Sequence, residues 1–501
     1  MGTLRTFLQS PYAGLAVVAL TVATRFAALQ HPQPIDDESV YSVVGNEIVD
    51  GGRPYAEAVE RKPPLLFWVY AAVFKVAGKF NWKALHVVAL IWTLATMAGL
   101  YLAGRRLFDP ETGVLAAFFY ALYQPWAVFQ NLAFNGELLM NLPLVWAWAI
   151  AFKRGTSKYR PELLVAGALL CAGFLLKQPA AIAAVPLGIY LLLPSYRASR
   201  GFTFGQAIVQ AGALAWGFFG TLALVALVLW HQGVLSEAVY WTITNHSIPL
   251  VFWKKGALMT LAFIVACLPL IVGVVLACRD RNEIWSGKHA ERNALIGLVA
   301  ASAIGTAAGA RFYPHYYIQL VPPLALLAAP HFARLWCGEM KPRYWFLRPV
   351  VAWVWLAGTL LAFSISHWLG LARNRTPCET GQYLLEHSAP NDRIFIWGQA
   401  PEIYLEAQRR PASRYVVTFP LTGYIFGGII GVDTHNRIVP GAWANLERDF
   451  AAHPPTYIVD VQVPAKNGQY PIKNFPILER LLSEHYSPIT RTADGVIYRM
   501  R

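Results

Sequence analysis

Charged residues are scarce in this 501-residue chain, of which only 14% are Asp, Glu, Lys or Arg. Soluble globular proteins carry roughly 25%, so the composition excludes an ordinary soluble protein. The five cysteines show no metal-ligand spacing, and the sequence has no nucleic-acid-binding motif, internal repeat or low-complexity tract. The net charge of +14 is therefore attributed to basic residues at the ends of membrane spans.

Long apolar runs are abundant, and each is near the roughly 20 residues that cross a bilayer. Eleven of them are predicted as spans, at 10–29, 84–103, 112–130, 137–152, 161–176, 179–194, 206–230, 257–278, 294–310, 317–336 and 349–368. The first is expected to be retained, because Arg25 interrupts it and no small-residue cleavage site precedes Gln30. Another run, 63–78, is short and contains two prolines, which favours an interfacial or re-entrant helix.

Basic clusters follow every second predicted span. They comprise Arg105, Arg106, Lys153, Arg154, Lys158, Arg160, Arg197, Arg200, Arg279, Arg281, Lys288, Arg292, Lys341, Arg343 and Arg348. By the positive-inside rule these loops and the N-terminus are cytoplasmic. The first outer loop, 31–83, and the C-terminal segment are then extracytoplasmic, which in a bacterial inner membrane is the periplasmic side.

The composition changes near residue 370, where charge density rises and apolar runs shorten. We therefore predict a mainly α-helical polytopic domain over 1–370, with interfacial helices in its first outer loop, and a soluble α/β domain over 371–501. Strands are predicted at 393–397, 414–418, 456–461 and 495–499, and helices at 377–388, 400–408, 442–452 and 474–485.

Three consecutive carboxylates, Asp36, Asp37 and Glu38, follow the first predicted span on its outer side. Adjacent like charges repel unless cations or protons occupy them, and Arg53 and Lys62 are cations of the same loop. Carboxylates beside cations at a bilayer surface can supply a general base and a phosphate clamp. A solvated acidic loop is the alternative.

More ionisable residues lie at the outer ends of predicted spans, where such residues are functional candidates. They are Glu137, Lys177, Arg311 and His315, with Lys254 and Lys255 in a further outer loop. A helix-dipole carboxylate would also explain Glu137, and a snorkelling side chain would explain Lys177. Because these charges lie at span ends rather than midway through spans, they suit chemistry on a lipid head group more than transport.

The first outer loop resembles that of the GT-C membrane glycosyltransferases. The residues that carry the resemblance are Asp37-Glu38-x-x-Tyr41, Gly52-x-Pro54-Tyr55 and Lys62-Pro63-Pro64-Leu65. It continues over 1–370 in Gly104-Arg105-Arg106-Leu107-Phe108, Lys177-Gln178-Pro179 and Arg311-x-Tyr313-x-His315-Tyr316-Tyr317 with Pro322-Pro323. The most similar branch is that of the protein O-mannosyltransferases and the lipid A aminoarabinose transferases. In the aminoarabinose branch an acid precedes the lysine, whereas Arg61 does here.

The resemblance implies a sugar donor carried on a polyprenyl phosphate, of the undecaprenyl kind in a bacterium. It maps the general base onto Asp37, with Asp36 and Glu38 as close competitors. It places Lys62, Arg311 and His315 near the donor phosphate, and we expect Lys177 to join them. We also expect substrate contacts from Tyr41, Arg53, Tyr55, Glu137 and Tyr316.

The expected enzyme is a hexosyl- or pentosyltransferase that acts on a hydroxyl of a lipid, glycan or protein, with membrane lipids and no nucleic acid as other partners. A single displacement would invert the anomeric centre. No metal or other cofactor is expected, although a divalent ion at the acid triplet stays open. The alternatives are a ligase-type transferase with diphosphate-linked donors, and a lipid or polysaccharide transporter.

Overall fold

The structure, a computed structural model, describes most of the chain. The described residues are 2–31, 33–35, 37–126, 128–153, 155, 157, 159–245, 252–279, 284–340, 349–374, 378–425, 428–429, 431–467 and 470–501. The candidate base Asp36 lies outside these residues.

The described chain is mainly helical. Its helices up to residue 374 are α1 Gly2–Gln9, α2 Pro11–Gln30, α3 Glu38–Val49, α4 Pro64–Ala77, α5 Trp82–Leu107, α6 Pro110–Tyr123, α7 Gly136–Ala151, α8 Glu162–Leu176, α9 Ala184–Leu192, α10 Pro194–Arg200, α11 Phe204–His231, α12 Leu235–Val239, α13 Trp253–Ala266, α14 Leu268–Arg279, α15 His289–Ala307, α16 Val321–Trp336 and α17 Pro349–Asn374. Those beyond it are α18 Glu379–His387, α19 Glu402–Ala407, α20 Phe419–Thr422, α21 Ala442–Ala452, α22 Pro464–Asn467 and α23 Pro476–His485. Short 3₁₀ segments include Phe129–Leu132, Gln178–Ala183 and Pro314–Leu320, and Tyr240–Thr244 is a π-helical turn.

Each predicted span is occupied by helix, but fewer helices have the length and composition of a complete span. Four described stretches are long and apolar enough, namely Pro11–Gln30, Trp82–Leu107, Phe204–His231 and Pro314–Trp336. Two bent pairs, Gln178–Leu192 with Pro194–Arg200 at 53° and Trp253–Ala266 with Leu268–Arg279 at 83°, raise that number to 6 if each is one span. Eleven spans therefore remain a prediction.

The run predicted as an interfacial or re-entrant helix is α4, which has 14 residues. At 1.5 Å per residue it is about 21 Å long. This is shorter than the roughly 30 Å of a bilayer's hydrocarbon core, and its length is consistent with the prediction.

The chain folds into two compact units. The first comprises Met1–Pro32, His86–Leu227 and Val251–Arg373, and the second comprises Gln33–Leu85, Val228–Leu250 and Asn374–Arg501. The first outer loop thus belongs to the same unit as the C-terminal segment. The proposed division into 1–370 and 371–501 follows the chain rather than these units, and it stays a prediction.

The first unit is built around α16. In the stretch Pro314–Trp336, 94% of the 18 most apolar consecutive residues are buried. Phe332 of α16 meets Phe119 of α6 edge-to-face, with ring centres 5.4 Å apart. On another side α14 approaches so closely that a Cβ at Gly273 would lie 2.3 Å from the Cβ of Ala328. Small residues allow such close contact between apolar helices.

The second unit contains a five-stranded sheet. Its strands are β1 Arg393–Trp397, β2 Arg410–Pro411, β3 Tyr457–Val461, β4 Tyr486–Arg491 and β5 Gly495–Met500, in the order β2-β1-β3-β5-β4. β1 pairs in parallel with β2 and β3, whereas β5 is antiparallel to β3 and β4. Three predicted strands and all four predicted helices of this segment are confirmed in position.

The predicted strand at 414–418 is wrong. The Arg414 N–H donates to Asp449 Oδ2 over 2.9 Å, and the Arg414 carbonyl accepts the N–H of Val59, also over 2.9 Å. Because these backbone groups bond to a side chain and to the first outer loop, they are not available to a strand ladder. Two strands, β2 and β4, were not predicted.

A buried ion pair joins the first outer loop to the sheet. Arg410 of β2 donates to both carboxylate oxygens of Glu47 on α3, with N–O distances of 2.9 and 2.6 Å. Glu47 is 3% exposed. A bidentate pair of this kind fixes orientation as well as distance, so α3 is held in a defined position against the C-terminal segment.

Replacing Arg410 with Met should lower the free energy of unfolding by about 1.5–3 kcal/mol, because the buried Glu47 carboxylate loses its charged hydrogen bonds. Chemical denaturation of the purified protein, followed by fluorescence, measures this change. The matched control is Lys79→Met, since Lys79 pairs with Asp50, which is 20% exposed. We expect Lys79→Met to lower the free energy of unfolding by less than about 1 kcal/mol. If the two substitutions lowered the free energy of unfolding equally, the pair between Arg410 and Glu47 would not be the stronger stabilising contact.

Candidate functional site

Four predicted site residues meet within the first unit. They are Glu137, Lys177, His315 and Tyr316, which we call the Glu137 cluster. The Asn135 side chain accepts the Leu138 N–H and caps α7. This cap places Glu137 in the first turn, where the helix dipole favours a carboxylate. Lys177 directly follows α8, and the other two residues lie in the 3₁₀ segment Pro314–Leu320.

The Glu137 cluster is buried and charge-paired. The Glu137 side chain is 1% exposed and forms an ion pair with the Lys177 ammonium. His315 Nε2 lies 3.9 Å from the same carboxylate oxygen, and Lys177 Nζ lies 4.6 Å from the centre of the Tyr316 ring. A buried charge is stable only when paired, so Glu137 fixes the position of Lys177. An ammonium has three N–H donors and can serve more than one acceptor.

A row of rings continues from this cluster. Tyr313 lies parallel to His315, with ring centres 5.7 Å apart and an interplanar angle of 4°. Lys255 Nζ lies 3.7 Å from the centre of the Tyr313 ring. Because a cation over a ring face is attracted by its quadrupole, Lys255 adds a positive charge beside the predicted phosphate residues.

Arg311 is held in a strained turn. It lies between Ala310 and Phe312, whose φ angles are 51° and 50°. Non-glycine residues in this region cost of order 1–3 kcal/mol and cluster at functional sites. The Ala310 carbonyl accepts the Phe252 N–H over 3.1 Å. Arg311 is half-buried, and within the described chain its guanidinium has no hydrogen-bond or ion-pair partner.

The two described acids of the triplet, Asp37 and Glu38, have different environments. Asp37 precedes α3, is half-buried, and accepts a hydrogen bond of 2.9 Å from the Tyr41 hydroxyl. Glu38 is 1% exposed, and its carboxylate accepts the Ile35 N–H over 2.7 Å. Glu38 therefore closes the turn before α3, whereas Asp37 presents a carboxylate oriented by a phenol.

A packed aromatic chain connects Asp37 with Lys62 inside the second unit. The Tyr41 and Phe67 ring centres are 6.2 Å apart, and those of Tyr55 and Phe67 are 6.0 Å apart. The Tyr55 hydroxyl donates to the Lys62 carbonyl over 2.7 Å. Two predicted tyrosines therefore pack in one cluster, which bonds to the Asp37 side chain at one end and to the Lys62 backbone at the other. Phe67 was not predicted, although it lies in the apolar run that follows Pro64.

Tyr55 is unusual in conformation and burial. Its φ of 67° is left-handed, and the residue is 1% exposed. Burial, with the nearby charge of Glu60, raises the pKa of Tyr55 well above its usual value. The hydroxyl is therefore protonated at neutral pH and remains a donor to the Lys62 backbone. Lys62 itself is half-buried, and its ammonium has no hydrogen-bond or ion-pair partner among the residues described.

Arg53 does not contact the Asp37 carboxylate. Its guanidinium forms an ion pair of 2.9 Å with Glu57 and donates to the Gln232 carbonyl over 3.2 Å. Burial raises the pKa of Glu57, but the hydrogen bonds and charge of Arg53 outweigh it and the net pKa is lowered. Arg53 thus joins the first outer loop to the segment after α11.

Arg25 is a buried cation whose contacts sequence analysis missed. It is 1% exposed and donates to Gln124 Oε1 over 3.1 Å and to the Leu132 carbonyl over 2.5 Å. Its position inside an apolar helix was the available signal. These bonds tie α2 to the segment that leads into α7.

In the described ranges, no group of three or more His, Cys, Asp or Glu side chains could hold a metal ion. The acid triplet includes Asp36, which these ranges omit.

Comparisons with known proteins give a family-model match and several similar structures. Residues 61–231 match the family model described as dolichyl-phosphate-mannose-protein mannosyltransferase. No curated protein sequence matches the chain. ArnT from Cupriavidus metallidurans bound to undecaprenyl phosphate is similar over 97% of this chain and 97% of that chain, with a TM-score of 0.63 and 14% identity.

Archaeal structures are similar at lower scores. The Archaeoglobus fulgidus oligosaccharyltransferase tethered with an acceptor peptide matches 99% of this chain and 75% of that chain, with a TM-score of 0.53 and 14% identity. AglB from the same organism, in complex with an inhibitory peptide and a dolichol-phosphate, matches 98% of this chain and 75% of that chain, with a TM-score of 0.51 and 13% identity. At these identities the likeness concerns the fold.

Removing the Tyr55 hydroxyl tests whether it positions Lys62. Tyr55→Phe keeps the ring and loses one hydrogen bond of about 0.5–1.5 kcal/mol. We expect undecaprenyl phosphate to bind roughly 2- to 10-fold more weakly, measured by titration in nanodiscs. Tyr12→Phe is the control, because that tyrosine is 69% exposed and far along the chain. Unchanged binding in Tyr55→Phe would show that the bond does not position the lysine.

Proposed function

We propose that this chain, which has the GT-C membrane glycosyltransferase fold, transfers a sugar from a polyprenyl phosphate to an acceptor hydroxyl. The donor is of the undecaprenyl kind, and the reaction takes place on the outer face of a bacterial inner membrane. The N-terminus is cytoplasmic and the C-terminal segment is extracytoplasmic. No cofactor enters the proposal.

The observation that carries the proposal is the carboxylate of Asp37, which is oriented by Tyr41 and is linked through the Tyr41, Phe67 and Tyr55 rings to the Lys62 backbone. A base and a cation on one short loop suit a reaction that takes a proton from one group and leaves negative charge on another. Glu38 is a weaker candidate, because its carboxylate is engaged by the Ile35 N–H. Asp36 remains a competitor.

The donor phosphate is assigned to four basic residues, Lys62, Arg311, Lys177 and His315. Lys62 and Arg311 are half-buried, and each lacks an ion-pair partner in the described part of the chain. Lys177 is fixed by Glu137, and His315 lies beside the same carboxylate. Cations that contact phosphate oxygens stabilise the charge of a departing lipid phosphate. Likeness to a structure bound to undecaprenyl phosphate supports this assignment.

The proposed step is one displacement at the anomeric carbon. Asp37 accepts the proton of the acceptor hydroxyl, and that oxygen forms a bond to the anomeric carbon. The bond from this carbon to the phosphate oxygen breaks, and the polyprenyl phosphate leaves with the electron pair. A single in-line attack inverts the anomeric configuration. Tyr41, Tyr55, Tyr316 and Arg53 are assigned to substrate contacts.

The test is a transfer assay with radiolabelled undecaprenyl-phosphate sugars and a membrane extract from the source organism. Asp37→Asn should lower kcat by roughly 10²- to 10⁴-fold, the usual contribution of a general base, while donor binding changes little. Lys62→Ala should weaken donor binding instead. Glu60→Gln, a half-buried acid of the same loop, is the matched control.

The outcomes separate the alternatives. Loss of transfer in Asp36→Asn but not in Asp37→Asn would move the base by one residue. Transfer only from diphosphate-linked sugars would favour the ligase-type enzyme. Translocation of the labelled lipid without any new glycosidic bond would favour a transporter.

A further inference from the structure

Two adjoining cavities lie in the second unit. A polar cavity of about 230 Å³ is lined by Arg53, Tyr55, Ala56, Glu57, Gly233, Val234, Glu237 and Arg414. An aromatic groove of about 600 Å³ is lined by Trp230, Gly233, Leu235, Ser236, Val239, Tyr240 and Thr244. Gly233 lines both, which places the two cavities side by side.

The polar cavity is lined by charged groups of both signs. Two are guanidinium groups, those of Arg53 and Arg414, and two are carboxylates, those of Glu57 and Glu237. Arg53 is held by Glu57 over 2.9 Å, and Arg414 is held outside the lining by Asp449 over 2.7 Å. A phosphorylated ligand would need an excess of positive charge. This lining instead offers donors and acceptors in similar number, which suits the hydroxyl groups of an uncharged sugar.

The aromatic groove adds ring faces and hydroxyls. Trp230 is 66% exposed at the end of α11, and Tyr240 is half-buried in the turn that follows α12. The Ser236 hydroxyl donates to Glu237 Oε2 over 2.7 Å, which orients that carboxylate. Large amphipathic rings provide contact area for apolar surfaces while polar groups beside them make hydrogen bonds. The C–H faces and hydroxyl edges of a pyranose match this combination.

The polar cavity is linked to Lys62, a predicted contact of the donor phosphate. Tyr55 lines the cavity and donates to the Lys62 carbonyl over 2.7 Å. Arg53 lines it as well and bonds to the Gln232 carbonyl, which joins the first outer loop to the groove segment. An acceptor in this cavity would therefore lie next to the loop that carries Asp37 and Lys62.

We propose that the polar cavity and the aromatic groove form the acceptor subsite and that the acceptor is a neutral saccharide. This inference rests on the proposed function and narrows it, since the acceptor classes considered were lipid, glycan and protein. One sugar unit lies between Arg53 and Glu237, and the next stacks on Tyr240 or Trp230.

The experiment has two arms, both with the full chain in nanodiscs. In the first, the labelled product formed from a membrane extract is treated with protease and passed over an anion exchanger. The inference predicts that the label survives protease and is carried by an uncharged glycan. Label released by protease would identify a peptide acceptor, and a phosphate-bearing product would identify an anionic lipid. Either result would overturn the inference.

In the second arm, Glu237→Gln and Trp230→Leu are compared with matched controls. Glu447→Gln changes an exposed glutamate of α21, and Trp216→Leu changes a tryptophan of α11 that is 75% exposed. We expect the acceptor KM to rise at least about tenfold in the cavity variants, as for loss of a charged hydrogen bond or an aromatic contact. Donor binding should be unchanged, and the controls should resemble the wild type.

Failure of the acceptor subsite and failure of the proposed function give different results. If KM in the cavity variants equals that of the controls while transfer proceeds, the subsite lies elsewhere and Trp230 is an interfacial anchor. If no variant and no wild-type protein transfers label from any monophosphate donor, the proposed function fails and this inference fails with it. Donor titration of each variant shows that the protein is folded.

Discussion

A charge within an apolar helical unit must be paired, and the arrangement of the first unit follows from this constraint at Glu137. Removing an ion from water costs several kcal/mol, which a close partner of opposite charge can offset. The pair between Glu137 and Lys177 joins the start of α7 to the end of α8, and His315 brings the segment before α16 to the same carboxylate. Lys177 and His315, more than a hundred residues apart in the chain, are thereby brought to one carboxylate.

In the second unit, contacts with the C-terminal segment hold the first outer loop in place. The first outer loop packs internally through Tyr41, Tyr55 and Phe67. It is also held by Arg410 on Glu47, by the Arg414 carbonyl on the Val59 N–H, and by the Arg61 guanidinium 4.5 Å from the Phe419 ring. The C-terminal segment therefore acts as a platform on which the loop with Asp37 and Lys62 takes a defined shape. Functional residues on loops need such a rigid support.

The sequence predicted helices well where apolar runs are long, as in α2, α5 and α11. It did not predict the 83° bend between α13 and α14, although Pro269, the second residue of α14, cannot donate to the hydrogen-bond ladder of α13 and was the available signal. The short strand β2 and the irregular strand β4, with a bulge near Pro488, lack a clear alternating pattern. The strand expected at 414–418 failed because tertiary bonds to Asp449 and Val59 replaced the ladder.

The sequence predicted which residues belong to the candidate site better than it predicted which of them contact each other. Acids and cations at the ends of apolar runs pointed to Glu137, Lys177 and His315, which the structure brings together. The roles of Tyr55 and Phe67 depend on a left-handed backbone angle and on ring packing. Neither property can be read from residue spacing alone. The polar cavity likewise depends on Glu57 of the first outer loop and Glu237 of α12, two acids that belong to no sequence motif.

The measurement that tests the account most directly is the binding of undecaprenyl phosphate to the full chain in nanodiscs. Wild type is compared with a Glu137→Gln, Lys177→Met double variant, which removes the ion pair without leaving a buried unpaired charge. Lys75→Met, at an exposed position, is the control. The account predicts saturable binding by wild type and control, and binding at least about tenfold weaker in the double variant. Equal binding by all three proteins, or no binding by wild type, would contradict it.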